Sequence, residues 1–143
     1  MQVTQAPIFR DFWYPVVRIT AARQCPQSFE LLGESLVIWL TEAGEPVAAR
    51  DRCCHRSAKL SLGQVIDGEL RCPYHGWGFD QTGACVHWPQ QSGDRPIPRT
   101  DRIPTYHAQI RYDYVWVCLG EPRLPIPDIP QAQDPRFRLI HEF

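Results

Sequence analysis

The chain has 143 residues, a formal net charge of −1, 14 prolines and 6 cysteines. This length provides one domain with its own core and excludes two domains of ordinary size. Lys and Arg form no stripe, which argues against a nucleic-acid partner, and no apolar run approaches the roughly eighteen residues that span a bilayer.

The first predicted strand covers residues 9–18, which are rich in aromatic and β-branched side chains. Pro15 lacks a backbone N–H, so this strand should lie at a sheet edge or contain a bulge. Residues 34–41 and 46–50 are two further apolar runs separated by a Gly-containing turn, which predicts a hairpin. A connection at residues 57–63 follows.

A second hairpin is predicted around Asp67-Gly68, a dipeptide suited to a type I′ turn, with strands at residues 64–66 and 69–71. Residues 77–80 and 84–88 are predicted to form a further short pair of strands.

The remainder of the chain begins with polar residues 89–104, predicted to form a surface excursion. Residues 106–112 and 114–119 predict an antiparallel pair, and the second strand is so apolar that it should lie inside the sheet. Because no segment shows a sustained helical period of apolar residues, the sequence predicts an all-β fold.

Residues 121–143 contain many prolines and show no pattern of a packed element, so they are predicted to be an exit segment after a domain at residues 1–120. Residues 136–143 could begin a strand that has no partner within this chain. We therefore expect the chain to be part of a larger protein.

Two short stretches each combine a cysteine with a histidine. One residue separates Cys53 from His55, and two residues separate Cys72 from His75. Each stretch follows a predicted strand, so we expect the two stretches to face each other across a small sheet. Two thiolates and two imidazoles at this spacing suit a Rieske [2Fe–2S] cluster, with cysteines on one iron and histidines on the other.

Other metal and catalytic sites fit this pattern less well. Zinc fingers also use two cysteines and two histidines, but they usually place both cysteines before both histidines, with wider spacing. A catalytic Cys–His pair would need a third orienting residue, and none is evident. His87, His107 and His141 have no ligand partner nearby in the sequence, and we expect them to be surface or hydrogen-bonded side chains.

The other cysteines are expected to remain reduced, because residues 1–7 lack the basic start and apolar run of a secretory signal. Cys54 could replace Cys53 as a ligand, but the spacing to His55 selects Cys53. Cys54 is then expected to be a small buried apolar side chain. The remaining three are Cys25, Cys85 and Cys118.

The two stretches resemble the cluster loops of Rieske oxygenases. The first runs CCHRSAKLS from Cys53, and the second runs RCPYHGWGFDQTG through Cys72. Residues 12–16 and 86–90 more narrowly resemble the branch of pheophorbide a oxygenase and chlorophyllide a oxygenase, including its cyanobacterial members. The resemblance covers residues 9–122.

This resemblance implies a Rieske (ISP-like) fold, in which a small cluster-binding subdomain sits on an antiparallel β base. Cys53 and Cys72 would bind one iron of a single [2Fe–2S] cluster, and His55 and His75 the other. His75 would face the electron acceptor through a carboxylate of a neighbouring catalytic domain.

The side chains beside this cluster and its redox class are also expected from the sequence. We expect Tyr74 and Trp77 to pack beside the cluster and shield it. Respiratory Rieske proteins carry an extra cysteine in each loop, whereas this chain has Tyr74 and residues 56–58 there. The resemblance therefore implies the lower-potential oxygenase type.

The implied function is one-electron transfer from a ferredoxin or reductase to a mononuclear iron site in a downstream catalytic domain. The ligands of that second iron, two histidines and a carboxylate, are not evident in this chain. The chain alone is therefore expected to carry electrons and not to activate O₂; a stand-alone Rieske ferredoxin is the alternative. The expected location is the cytoplasm, or the chloroplast stroma or thylakoid surface for a plastid homologue.

Overall fold

A computed structural model describes residues 6–90, 94–138 and 140. Strands dominate these residues, and every strand pair is antiparallel, so the all-β prediction is confirmed. One four-residue helix, α1, covers Ile19–Ala22, and 3₁₀ turns cover Pro7–Asp11, Leu60–Leu62 and Pro130–Gln133. The strands are β1 Tyr14–Arg18, β2 Gln27–Leu31, β3 Glu34–Leu40, β4 Pro46–Arg50, β5 Gln64–Ile66, β6 Glu69–Arg71, β7 Gly78–Phe79, β8 Cys85–His87, β9 Thr105–Arg111 and β10 Tyr114–Cys118.

The strands form two sheets. A six-stranded base sheet has the order β1-β10-β9-β4-β3-β2, and a four-stranded small sheet has the order β5-β6-β7-β8. The small sheet is built entirely from residues between β4 and β9, and these two strands pair with each other in the base. The small sheet is therefore an insert in the base, as expected for a cluster-binding subdomain.

Strand β3 lies between two apolar cores. Leu36 and Ile38 belong to the core on one face of the base sheet, whereas Val37 and Trp39 belong to the core beneath the small sheet. All four side chains are fully buried. A strand covered on both faces needs a continuous apolar run rather than an alternating one, which explains the sequence of this strand. The core beneath the small sheet also includes Cys53 and Cys72.

One predicted turn and two predicted strand positions are confirmed. Asp67 and Gly68 both have positive φ, 51° and 78°, as a type I′ turn requires. β1 lies at the edge of the base sheet, with a register shift between Pro15 and Val17. β10 is paired on both sides, which agrees with its apolar sequence.

The N-terminal prediction was wrong in part. Residues 9–18 do not form one strand, because the 3₁₀ turn Pro7–Asp11 takes up the first part of that range. Proline at the start of this turn fixes φ in the helical range and needs no partner for its missing N–H. Helix α1 and strand β2 were not predicted from the sequence.

The segment after the base sheet is also more ordered than predicted. Ile126 is buried, and its carbonyl oxygen accepts a hydrogen bond from Arg111 Nη1 at 2.8 Å. Asp128 accepts hydrogen bonds from Arg111 and Tyr112. Residues 136–138 form no strand, and 139 and 141–143 lie outside the described residues.

The part of the chain that the structure describes contains no helix with the length and apolar character needed to cross a membrane.

Candidate metal centre

The first candidate ligand stretch, which we name loop 1 (residues 53–58), is closed by its own backbone. The Cys53 N–H donates to the Ala58 carbonyl oxygen at 2.8 Å, and the Ser57 N–H donates to the Cys53 carbonyl oxygen at 2.9 Å. Ser57 has a φ of 59°, which lies in the left-handed region. Loop 1 follows β4, so it extends from the base sheet.

The second stretch, which we name loop 2 (residues 72–77), repeats this backbone pattern. The Cys72 N–H donates to the Trp77 carbonyl oxygen at 2.8 Å, and the Gly76 N–H donates to the Cys72 carbonyl oxygen at 3.1 Å. Gly76 has a φ of 73°, at the position equivalent to that of Ser57. Loop 2 connects β6 with β7 in the small sheet, so the two loops extend from different sheets. The two loops do face each other, as predicted, but the prediction that a single small sheet carries both was wrong.

The two loops bring the four candidate ligands together. Cys53 and Cys72 are buried, His75 is half-buried, and His55 is exposed. The two imidazole rings meet edge to face, with 4.8 Å between their centroids. The thiols therefore lie inside the domain, and the imidazoles lie at its surface.

Burial shifts these groups toward their neutral forms, the thiol for cysteine and the uncharged imidazole for histidine. Burial raises the pKa of the Cys53 thiol, and the backbone N–H of His55 opposes part of that rise, whereas the adjacent Cys72 thiol adds to it. Partial desolvation and the neighbouring His75 lower the pKa of His55, which favours the neutral imidazole. Neutral imidazole is the form that binds a metal, and the His55 N–H is placed to stabilise a thiolate.

His75 supplies a direct test of whether a metal group fits here. Its Nδ1 atom is buried and has no hydrogen-bond partner among the described residues. A buried ring nitrogen without a partner is costly, and a metal bond at this atom would satisfy it. The residues present therefore fit a bound cluster.

No group of three or more His, Cys, Asp or Glu side chains converges on a single metal ion in residues 6–90, 94–138 and 140. A [2Fe–2S] cluster takes only two protein ligands per iron, so it does not require such a group.

Comparison with known proteins agrees with this geometry. The family model described as "Rieske [2Fe-2S] domain" matches residues 12–107. The chain belongs to the Rieske [2Fe–2S] domain family. Its cofactor is a [2Fe–2S] cluster, as this family implies.

Relatives and solved structures place this Rieske domain among those of oxygenases. It is 40% identical over 139 residues to methylxanthine N1-demethylase NdmA of Pseudomonas putida, and the match covers 92% of this chain and 39% of the relative. It is 38% identical to the chloroplastic chlorophyllide a oxygenase of Chlamydomonas reinhardtii, with 92% and 20% covered.

Among solved structures, NdmA of Pseudomonas putida matches with a TM-score of 0.82 at 38% identity, covering 94% of this chain and 43% of that chain. Apo dicamba monooxygenase matches with a TM-score of 0.79 at 33% identity, covering 91% and 41%. The predicted Rieske fold is confirmed, and the chain spans less than half the length of these proteins.

Aromatic rings line the surface side of the Rieske centre. Trp77 stacks on His55, with 4.4 Å between ring centroids and an interplanar angle of 3°. Tyr74 lies 3.9 Å from the ring of His75, but it is 63% exposed. A cavity of about 280 Å³ opens beside both imidazoles, lined by His55, His75, Trp77, Trp88 and Gln90.

Sequence reasoning missed a buried carboxylate next to loop 1. Asp51 is 6% exposed, and it accepts hydrogen bonds from the Ser61 N–H at 2.7 Å and from the Ser61 hydroxyl at 2.5 Å. These residues stand on either side of loop 1, so the carboxylate ties its two ends together. The signal was an acidic residue at the end of an apolar strand, followed ten positions later by a serine.

The other cysteines of the Rieske domain are free thiols. Cys54 was expected to be buried, but it is exposed, whereas its neighbour Cys53 is buried. Burial raises the pKa of Cys85 to about 11, so this thiol stays protonated near neutral pH.

The remaining histidines that the structure describes lie in strands β8 and β9. His107 Nε2 lies 3.7 Å from Glu121 Oε1, and His87 is half-buried in β8. His141 lies outside the described residues.

Proposed function

We propose that this chain is the electron-transfer domain of a Rieske non-haem iron oxygenase. It would accept one electron at a time from a ferredoxin or reductase and deliver it to a mononuclear iron in a catalytic domain. The observation that carries this proposal is the meeting of both imidazoles at the surface, with both thiols buried behind them.

The proposed ligands are Cys53 and Cys72 for the inner iron and His55 and His75 for the outer iron. When bound, the cluster supplies a one-electron redox centre at a potential of roughly −150 to +300 mV. The chain's own contribution is to bury the thiols, to donate the His55 backbone N–H toward the Cys53 sulfur, and to present the imidazoles to a partner.

Electron delivery is proposed to leave through His75. This imidazole is half-buried, and its ring borders the cavity beside both imidazoles, so a carboxylate of a catalytic domain could approach it there. Tyr74, which lies against the same ring, and Trp77, which lies against His55, would limit the access of water.

The catalytic half of the enzyme is part of the proposal, since the chain spans 39% of NdmA and 20% of chlorophyllide a oxygenase. Both bacterial N-demethylases and chloroplast oxygenases match at similar identity, so we propose the function at the level of the oxygenase class. The chlorophyllide a and pheophorbide a branch remains one candidate within it. We propose a cytoplasmic or stromal location, where ferredoxins and reductases can supply electrons.

The test of this proposal is the electron paramagnetic resonance spectrum of the dithionite-reduced protein, together with its iron and acid-labile sulfide content. A Rieske cluster is expected to give two irons, two sulfides and a paramagnetic signal in the reduced state. A colourless protein that contains one zinc would overturn the proposal.

The coding sequence beyond residue 143 tests whether this chain is the domain of an oxygenase or a stand-alone ferredoxin. An open reading frame that supplies two histidines and a carboxylate for a second iron supports the oxygenase. A stop codon at that position would favour the ferredoxin and leave the cluster assignment intact.

A further inference from the structure

A segment outside both ligand loops runs beside residues 75–77, the second half of loop 2. This flanking segment, residues 87–90, begins at the end of β8. β7 and β8 are antiparallel partners, and their ladder ends with Gly78 opposite His87. Loop 2 immediately precedes Gly78 in the chain, and the rest of the flanking segment immediately follows His87.

The antiparallel order persists beyond the last ladder pair. The Trp88 ring lies 5.0 Å from that of Trp77. Pro89 lies so close to Gly76 that a Cβ atom there would be 2.9 Å from Pro89 Cγ. Successive residues of the flanking segment thus contact residues of loop 2 in reverse order, as in an antiparallel pair.

The last contact in this series reaches a candidate ligand. Gln90 Nε2 donates a hydrogen bond to the His75 carbonyl oxygen at 2.7 Å. The antiparallel path of the segment brings the Gln90 amide within reach of this carbonyl. It fixes the backbone that carries the His75 ring.

The flanking segment also supports the imidazole of His55, and it does so indirectly, through Trp77. Trp77 stacks face to face on His55, and Trp88 of the flanking segment packs against the Trp77 ring. Aromatic contacts at these centroid distances have preferred geometries, so removing one ring frees the orientation of the next. Trp88 therefore acts on His55, which belongs to loop 1, through Trp77 of loop 2.

We propose that Trp88 and Gln90 are positioning residues for the two imidazole ligands. Trp88 sets the orientation of the His55 ring through Trp77, and Gln90 holds the backbone of His75. This inference rests on the ligand assignment made under the proposed function. Groups beyond the ligands orient metal-bound imidazoles, and such support needs side chains whose own positions are held by packing and hydrogen bonds.

The test compares Trp88→Leu and Gln90→Leu with Val86→Ala, a matched control on β8. Val86 is 42% exposed and lies outside the cavity beside the imidazoles. Pulsed electron paramagnetic resonance of the reduced protein measures the hyperfine couplings of the two ligand nitrogens, which depend on ring orientation. We expect each leucine variant to change one of the two couplings, a different one in each variant, and to shift the midpoint potential. Val86→Ala should reproduce the wild-type spectrum.

Iron content separates the possible outcomes. Two irons per chain with unchanged couplings in both leucine variants would overturn this inference while leaving the ligand assignment intact. A wild-type protein without a Rieske spectrum would instead overturn the proposed function. If Trp88→Leu assembles no cluster, Trp88→Phe, which keeps an aromatic ring, should restore it. Failure of Trp88→Phe as well would also count against a role for stacking.

Discussion

Loops 1 and 2 reach the same backbone shape with different residues. In each loop the cysteine N–H bonds to the carbonyl five residues on, and the cysteine carbonyl accepts from the N–H four residues on. The residue with positive φ is Ser57 in one loop and Gly76 in the other. The pair of backbone hydrogen bonds therefore fixes the shape of each loop. Glycine is required only in loop 2, where Pro89 packs against Gly76.

The two loops are also supported by different means. Asp51 and Ser61 tie the ends of loop 1 through a buried carboxylate, whereas the flanking segment packs beside residues 75–77 of loop 2. Pro89 leaves no space for a side chain at Gly76, while loop 1 accommodates the side chain of Ser57 at the equivalent position. Loop 1 should therefore be sensitive to loss of charge, and loop 2 to added volume.

The largest effect is expected from Cys72→Ser compared with Cys54→Ser. The first removes a buried proposed ligand from loop 2, and the second changes an exposed thiol of loop 1. Cys72→Ser should contain less than about a tenth of the wild-type iron, because a serine is a poor substitute for thiolate in this cluster. Cys54→Ser should retain the full iron content and spectrum. Loss of the cluster in Cys54→Ser would indicate that Cys54, and not Cys53, is the ligand from loop 1.

The next effect is expected from Asp51→Ala, which removes the support of loop 1. We expect the free energy of unfolding to fall by about 2–3 kcal/mol, because the Ser61 N–H loses a charged acceptor in a buried position. Urea unfolding monitored by tryptophan fluorescence measures this change. The control is Asp128→Ala, which removes a 77% exposed partner of Arg111 and should cost at most about 1 kcal/mol. Equal losses in the two variants would contradict the support assigned to Asp51.

A smaller effect is expected from Gly76→Ala in loop 2. The alanine would need a φ of about 73° and would place its Cβ against Pro89, so the expected loss is about 2 kcal/mol. Gly44→Ala is the matched control, since Gly44 has a φ of 84° and nothing lies within 4 Å of its missing Cβ. That change should cost only the strain, about 1 kcal/mol. If both losses are the same, the contact with Pro89 contributes nothing.

The smallest effect is expected from Ser57→Gly in loop 1. Glycine relieves the strain of a φ of 59° but increases the entropy of the unfolded chain, and the two terms nearly cancel. The free energy of unfolding should change by less than about 0.5 kcal/mol, as measured by the same urea titration. A large loss would show that the Ser57 side chain has a role beyond its backbone shape.

The elements that sequence reasoning located are those whose signals are local. The turn at Asp67-Gly68 depends on two adjacent residues, and the apolar run of β3 depends on burial of both its faces. The candidate ligands were found because two Cys–His pairs at this spacing are typical of a metal site and of few other arrangements. Their grouping in space is now described, and their bonds to iron stay a prediction.

The elements that were missed depend on tertiary contacts. β2 has only Phe29 and Leu31 as apolar residues, and the turn to β3 uses Leu32, whose positive φ no local rule would favour. The role of Asp51 requires knowledge that Ser61 returns to it across loop 1. The contact of Gln90 with His75 appears only once β7 and β8 are aligned.

The insertion of the small sheet between β4 and β9 has a consequence for the order of folding. β5 to β8 are sequential neighbours, so they pair after closing only short loops. β4 can pair with β9 only after the intervening residues 51–104 have folded back, and β1 pairs with β10 across most of the chain, with Tyr14 opposite Val117. Contacts distant in sequence form slowly, on a scale of milliseconds to seconds. We therefore expect the small sheet to form before the base closes around it, so that loop 2 takes shape ahead of loop 1.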